Sequence, residues 1–168
     1  MNQKCIRVAF FRGDGGFLHT IIRWWTSSSY SHAELILPDS VTWVTISPFF
    51  NSRVSLREKN IAEDDKDWEI IVLPFSWREP VMRYQVSQLE TFVEDTTGSR
   101  YDWIGMILSQ VSPFLVKRVN RWYCSEWIAH ALVKARILPW DYARIYDTPN
   151  MSPGKLYSLL KSYSPNYK

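Results

Sequence analysis

At 168 residues, 46% hydrophobic and 22% charged, the chain has the composition of one globular domain spanning 1–168 rather than of a disordered segment. A net charge of +3, with basic residues scattered and densest at Lys117, Arg118 and Arg121, gives no electrostatic footprint for nucleic acid, and no nucleic-acid partner is expected. Two cysteines and three histidines without ligand spacing predict neither a disulfide framework nor a metal site, and no cofactor is expected.

Cys5 to Phe11 is rich in β-branched and aromatic residues and runs into Gly13-Asp14-Gly15-Gly16, which predicts a first strand and a turn. Phe17, Leu18, Ile21, Ile22 and Trp25 recur at helical spacing, and Thr26 to Ser29 ends that amphipathic helix. Ser31 to Leu37 and Val41 to Ser47 read as strands joined through Pro38-Asp39-Ser40, with Val54 to Arg57 as a further short strand. After a charged loop, Trp68 to Leu73 is another strand. Met82, Val86, Leu89 and Val93 mark a helix closed by Gly98. Asp102 is placed to N-cap a helix carrying Trp103, Ile104, Ile107 and Leu108, which Pro113 stops. A helix over about 122–137 carries the stripe Trp127, Ile128, Ala131, Leu132 and Ala135, and Ser152-Pro153 opens the last helix with Leu156, Leu159 and Leu160 facing inward. The order of helix, hairpins and then helices predicts an α+β fold.

Chemistry concentrates on two segments. Cys124 falls in the first turn of its predicted helix, with Asn120 as N-cap, where unpaired N–H groups favour a thiolate and can hold an oxyanion. Glu126 opposes that effect, so a base is needed as well. The alternative is a small buried hydrophobe, as most lone cysteines are. His32 lies in the strand Tyr30-Ser31-His32-Ala33-Glu34-Leu35, where strand alternation puts His32 and Glu34 on one face and Ala33 and Leu35 on the other. That pattern suits an imidazole base oriented by a carboxylate, or else the solvent-facing side of an edge strand. His19 and His130 compete as bases and are expected at the surface. The third member is open among Glu34, Thr45 and Ser47.

Four elements of the chain resemble the circularly permuted branch of the NlpC/P60 superfamily, the YiiX-like papain-fold cysteine hydrolases. They are Tyr30-Ser31-His32-Ala33-Glu34-Leu35, Gly98-Ser99-Arg100-Tyr101-Asp102-Trp103-Ile104-Gly105, Trp122-Tyr123-Cys124-Ser125-Glu126-Trp127, and Ser152-Pro153 before the last helix. The resemblance implies a papain-like core, with a nucleophile-bearing helix packed on an antiparallel sheet that carries the histidine. It implies Cys124 as nucleophile and His32 as general base, with Tyr123 and Ser31 shaping the site or its oxyanion hole and Tyr101 and Trp103 beside the cleft; Asp102 then caps its helix. Where such proteins commonly place a polar third residue on the next strand, this chain offers only the hydroxyls of Val41-Thr42-Trp43-Val44-Thr45-Ile46-Ser47.

The function expected from these readings is a thiol hydrolase that cleaves an amide bond through an acyl-enzyme. Its substrate would be a peptide or a peptidoglycan fragment. Two alternatives remain: a lipid or acyl-group hydrolase or acyltransferase of the lecithin–retinol acyltransferase type, and a non-catalytic module holding a ligand in an aromatic groove. Phe17, Trp24, Trp25, Trp43, Phe49 and Phe50 are candidates to line such a groove, with most of them expected in the core. The start Met1 to Gly16 lacks the pattern of a signal peptide and no stretch reads as a membrane span, so a cytoplasmic chain is expected as synthesised. A wall substrate would then require phage encoding or delivery by another system.

Overall fold

Why the two segments approach each other follows from the sheet. The computed structural model describes residues 5–47, 50–59, 65–73, 79–106, 121–139 and 151–164. Its strands are β1 (Ile6–Phe11), β2 (His32–Ile36), β3 (Thr42–Ser47), β4 (Phe50–Glu58), β5 (Trp68–Leu73), β6 (Arg100–Tyr101) and β7 (Arg121–Trp122). Its helices are α1 (Phe17–Thr26), α2 (Glu79–Thr96), α3 (Cys124–Lys134) and α4 (Pro153–Tyr163). The fold is α+β.

The strands form one seven-stranded sheet in the order β5-β1-β2-β3-β4-β6-β7. Every pair is antiparallel except β6–β7, which is parallel, so the sheet is mixed and not the antiparallel one expected. Two-residue strands are too short to leave a period in the sequence, and β6 and β7 went unread for that reason. β2 sits between β1 and β3, which removes the edge-strand reading of His32. The turn between β2 and β3 is set by Asp39, whose carboxylate accepts the N–H groups of Val41 at 3.0 Å and Thr42 at 2.8 Å. β4 is longer than Val54 to Arg57. It runs against β3 from Thr42↔Glu58 to Ile46↔Val54 and then bulges at Ser47.

The pleat divides the core between two faces. Ile6, Val8, Phe10, Ala33, Leu35, Val44 and Ile46 face α3, which buries Trp127, Ile128, Ala131 and Leu132 against them. Leu89 and Val93 of α2 join the same cluster, and the Trp127 indole N–H donates to Thr96 Oγ1 at 2.9 Å. Truncating a fully buried tryptophan of this kind to alanine costs about 3–5 kcal/mol. On the opposite face Ala9, Ile36 and Trp43 pack with Trp68 and Ile70, beside His32 and Glu34. Of the aromatics expected to be mostly core, Trp43 is buried, whereas Phe17 and Trp24 are each 78% exposed on α1. Phe49 lies outside the described residues.

Caps fix the helices that matter for the site. α3 begins at Cys124, two residues later than expected, because Arg121 and Trp122 are held extended in the ladder with β6. Its N-cap position is Tyr123, with φ −110° and ψ 161°, and not Asn120, which lies outside the described residues together with Ile107, Leu108 and Pro113. Asp102 does cap residues 103–106, accepting the Gly105 N–H at 2.8 Å. Gly98, at φ +82°, turns the chain out of α2 into β6 as expected. Ser152 caps α4 through the Lys155 N–H, with Pro153 in the first helical turn. Glu69 of β5 then fastens α4 and the chain before β2 together: its carboxylate accepts the Tyr157 and Tyr30 hydroxyls, each at 2.5 Å.

Candidate functional site

Cys124 opens α3, where the first-turn N–H groups have no partner within the helix. β2 meets β3 in register only at Leu35↔Val44 and Ile36↔Trp43, whereas it meets β1 along its whole length. The Cys124 sulfur comes to the start of β2. There the backbone N–H groups of Ala33 and Ser125 and the His32 side chain stand near enough to act on its charge. A sulfur at the end of a strand is reachable from either side of the pleat. That is how a ring on the face away from α3 meets the first residue of α3. Both groups are buried, His32 at 8% and Cys124 at 6% exposure.

His32 Nε2 lies 3.1 Å from Glu34 Oε1, so the carboxylate against the ring is that of Glu34. Thr45 and Ser47 share this face on β3 by alternation, buried beside it. The other oxygen of Glu34, Oε2, accepts two N–H groups of Arg57, Nε at 3.1 Å and Nη2 at 2.6 Å. Arg57 stands on β4 in register with Trp43 and lies over its ring at 5.6 Å. Sequence reading missed Arg57. Three residues from the buried Val54, it falls on the opposite face of the strand, but the register that brings it to Glu34 passes through β3 and was not legible.

Charges in this chain are mutually supporting. Burial pushes the Cys124 thiol up, but the charge and hydrogen bond of His32, followed by the N–H groups of Ala33 and Ser125, bring it below the ordinary thiol value. Burial likewise pushes His32 down, and Cys124 and then Glu34 outweigh it and raise the imidazole well above its ordinary value. Burial raises Glu34, but the bond and charge of His32, and then Arg57, hold it below the usual carboxylate range. In their charged forms thiolate, imidazolium, carboxylate and guanidinium form an alternating series. Their protons belong to the coupled set and not to single residues.

Around this series the expected neighbours fall at different distances. Tyr101 is buried close to the sulfur; burial, then the charges of Cys124, Tyr123 and Asp102, push its phenol well above its ordinary value, and its hydroxyl donates to Met106 Sδ at 3.0 Å. Tyr123 is buried immediately before Cys124. Trp103 is 38% exposed and packs its ring on Tyr101 at 5.3 Å, at the rim. Ser31 is buried, and its hydroxyl meets His19 Nδ1 at 2.8 Å. His19 is therefore not the surface residue expected. It is half-buried against Phe11, and burial, then the charges of His32 and Arg23, lower its pKa. His130 is not at the surface either: it is buried on α3 against the Trp122 ring at 4.8 Å.

Cys5 and Cys124 are both free thiols, Cys5 half-buried on β1's N-terminal side. Among the described residues no group of three or more His, Cys, Asp or Glu is placed to hold a metal ion, and no helix is long and apolar enough to cross a membrane. A cleft of about 440 Å³ opens between residues 26–30 and the start of α4, walled by Ser28, Tyr30, Lys155 and Tyr157; neither Cys124 nor His32 lines it. Comparison with family models, curated proteins and solved structures finds no match to this chain.

Proposed function

We propose that the chain is a cysteine hydrolase of papain-like architecture, related to the permuted NlpC/P60 proteins it resembles. In this reading Cys124 is the nucleophile, His32 the acid and base, and Glu34 the residue that orients the imidazole. The observation that carries it is the placement of Cys124, the first residue of a helix, beside His32 of a central strand, whose ring is bonded to Glu34 at 3.1 Å. The lowered thiol and the raised imidazole both favour a thiolate–imidazolium pair.

The thiolate attacks the carbonyl carbon of an amide, and the developing oxyanion is held by first-turn N–H groups of α3, that of Cys124 foremost. His32 delivers its proton to the leaving nitrogen as the C–N bond breaks, leaving a thioester on Cys124. A water then gives a proton to His32 and attacks the thioester, releasing the acid and restoring the pair. Amides of peptide type, including cell-wall peptides, are the first substrate class. The exposed Phe17 and Trp24 on α1, the helix that carries His19, favour acyl chains as the second.

The test is to expose the full chain to a panel of peptide amides and long-chain esters and to stop the reaction in acid. The proposal requires a mass increase equal to the acyl group, located on Cys124 by peptide mapping and absent from Cys124→Ala. Acylation of Cys5 alone, or none with any substrate and any acyl-type electrophile, would defeat it.

A further inference from the structure

We propose that Arg57 is a positioning residue of this site, acting on the thiol only through Glu34. The inference rests on the Cys124–His32 reading and extends the site to a strand that the four resembling segments do not include. Glu34 carries three rotatable side-chain bonds, and its partner His32 stands only two residues away on the same strand. A carboxylate so placed has many ways to turn and only one that puts Oε1 on His32 Nε2. Arg57 removes that freedom. Two N–H groups of its guanidinium take Oε2, at 3.1 and 2.6 Å, which anchors that oxygen and leaves Oε1 for the ring. Arg57 itself lies over the Trp43 ring, its Cζ 5.6 Å from the ring centre, and Trp43 is buried in register with it.

Charge balance points the same way. The groups that face the pair are Glu34 from β2, Arg57 through Glu34 from β4, His19 from α1 and Tyr101 from β6. Lys59 nearby is occupied with Asp65 at 3.2 Å and stands over Trp43 and Trp68. With Arg57 in place, thiolate, imidazolium, carboxylate and guanidinium sum to zero in a buried cluster. Without it the same cluster carries a net negative charge. Burial disfavours that state, so the cluster takes up a proton at a higher pH.

The experiment measures the rate of iodoacetamide alkylation at Cys124 and at Cys5 against pH, by peptide mapping of the full chain, in wild type, R57Q, R57K, E34Q and R57Q/E34Q. Expected for R57Q is an acid limb of the Cys124 rate moved about one unit alkaline, so that the rate falls about tenfold at pH values below the wild-type midpoint. R57K, which keeps the charge and loses the fork, should fall between R57Q and wild type. The double variant should be no slower than E34Q, because the only route from Arg57 to the sulfur is then already cut. A wild-type Cys124 no faster than Cys5 sinks the Cys–His reading and this inference with it. A fast wild-type Cys124 with an R57Q profile superimposed on it, or R57Q and E34Q effects that multiply, overturns the role of Arg57 alone. If R57Q loses its native circular dichroism, R57K decides, and an unshifted R57K profile overturns the role.

Discussion

Glu34 on β2 and Glu69 on β5 are carboxylates of one sheet, each gripped at both oxygens and each held below the usual carboxylate range against the opposing effect of burial. Their partners set them apart. Glu69 is bonded by two phenols, and burial followed by Glu69 itself pushes the Tyr30 phenol far above neutrality, so no proton moves there at ordinary pH. Glu34 is bonded by an imidazole, the side chain that titrates nearest neutrality, and that imidazole touches a thiol at a helix start. A depressed carboxylate is thus a feature of both a structural clamp and a candidate reactive site. What distinguishes them is whether the next group along can exchange a proton.

Several substitutions would break or sharpen that contrast. The largest effect belongs to Cys124→Ser, which should remove turnover by at least about a thousandfold while thermal unfolding stays close to wild type, since one buried atom changes. His32→Ala returns the thiol to at least its ordinary value near 8.5, leaving about 3% thiolate at pH 7, so alkylation of Cys124 should slow by about thirtyfold. Glu34→Gln keeps a hydrogen-bonding oxygen and loses the charge, and should slow the same reaction by about tenfold or less; no change would take Glu34 out of the site. The smallest effect is expected at the other clamp. Tyr157→Phe should cost about 1 kcal/mol in denaturant unfolding and leave Cys124 alkylation as it was.

The pH dependence of turnover sharpens the same point. Cys124 must be ionised, and its value is lowered, so the acid limb should lie below the ordinary thiol range. His32 must be protonated to release the leaving group, and a raised value keeps it so until the pH passes about 10. A bell with a broad top should result, measured as initial rates across pH. A limb at the ordinary histidine value near 6.5 would mean the imidazole works as an unpaired base.

Much of this was legible before any coordinates. Alternation in Tyr30 to Leu35 set His32 and Glu34 on one face, and their near-complete burial on a central strand is what that polar pair meant. The apolar stripe with Trp127 and Leu132 gave the helix that carries Cys124, and Ser152-Pro153 gave the start of the last one. What escaped depends on register and not on local pattern. Arg57 reaches Glu34 only because β4 pairs with β3 so that Arg57 sits opposite Trp43. The start of α3 was misplaced because a two-residue parallel bridge keeps Trp122 extended, against the helical spacing around it. His19 was expected at the surface from its place on the polar side of α1 near Arg23, and His130 from its place well round the helix from Cys124, yet a serine hydroxyl takes one and an indole ring covers the other.

Thiolate ultraviolet absorbance, recorded against pH as the difference between wild type and Cys124→Ser, reads the buried sulfur directly and without a substrate. A thiolate stabilised by His32 should give a midpoint below about 8.5, moving up to or past that value in His32→Ala. A midpoint above that value in the wild type, unmoved by His32→Ala, would make Cys124 an ordinary buried thiol and contradict the pairing on which the function rests.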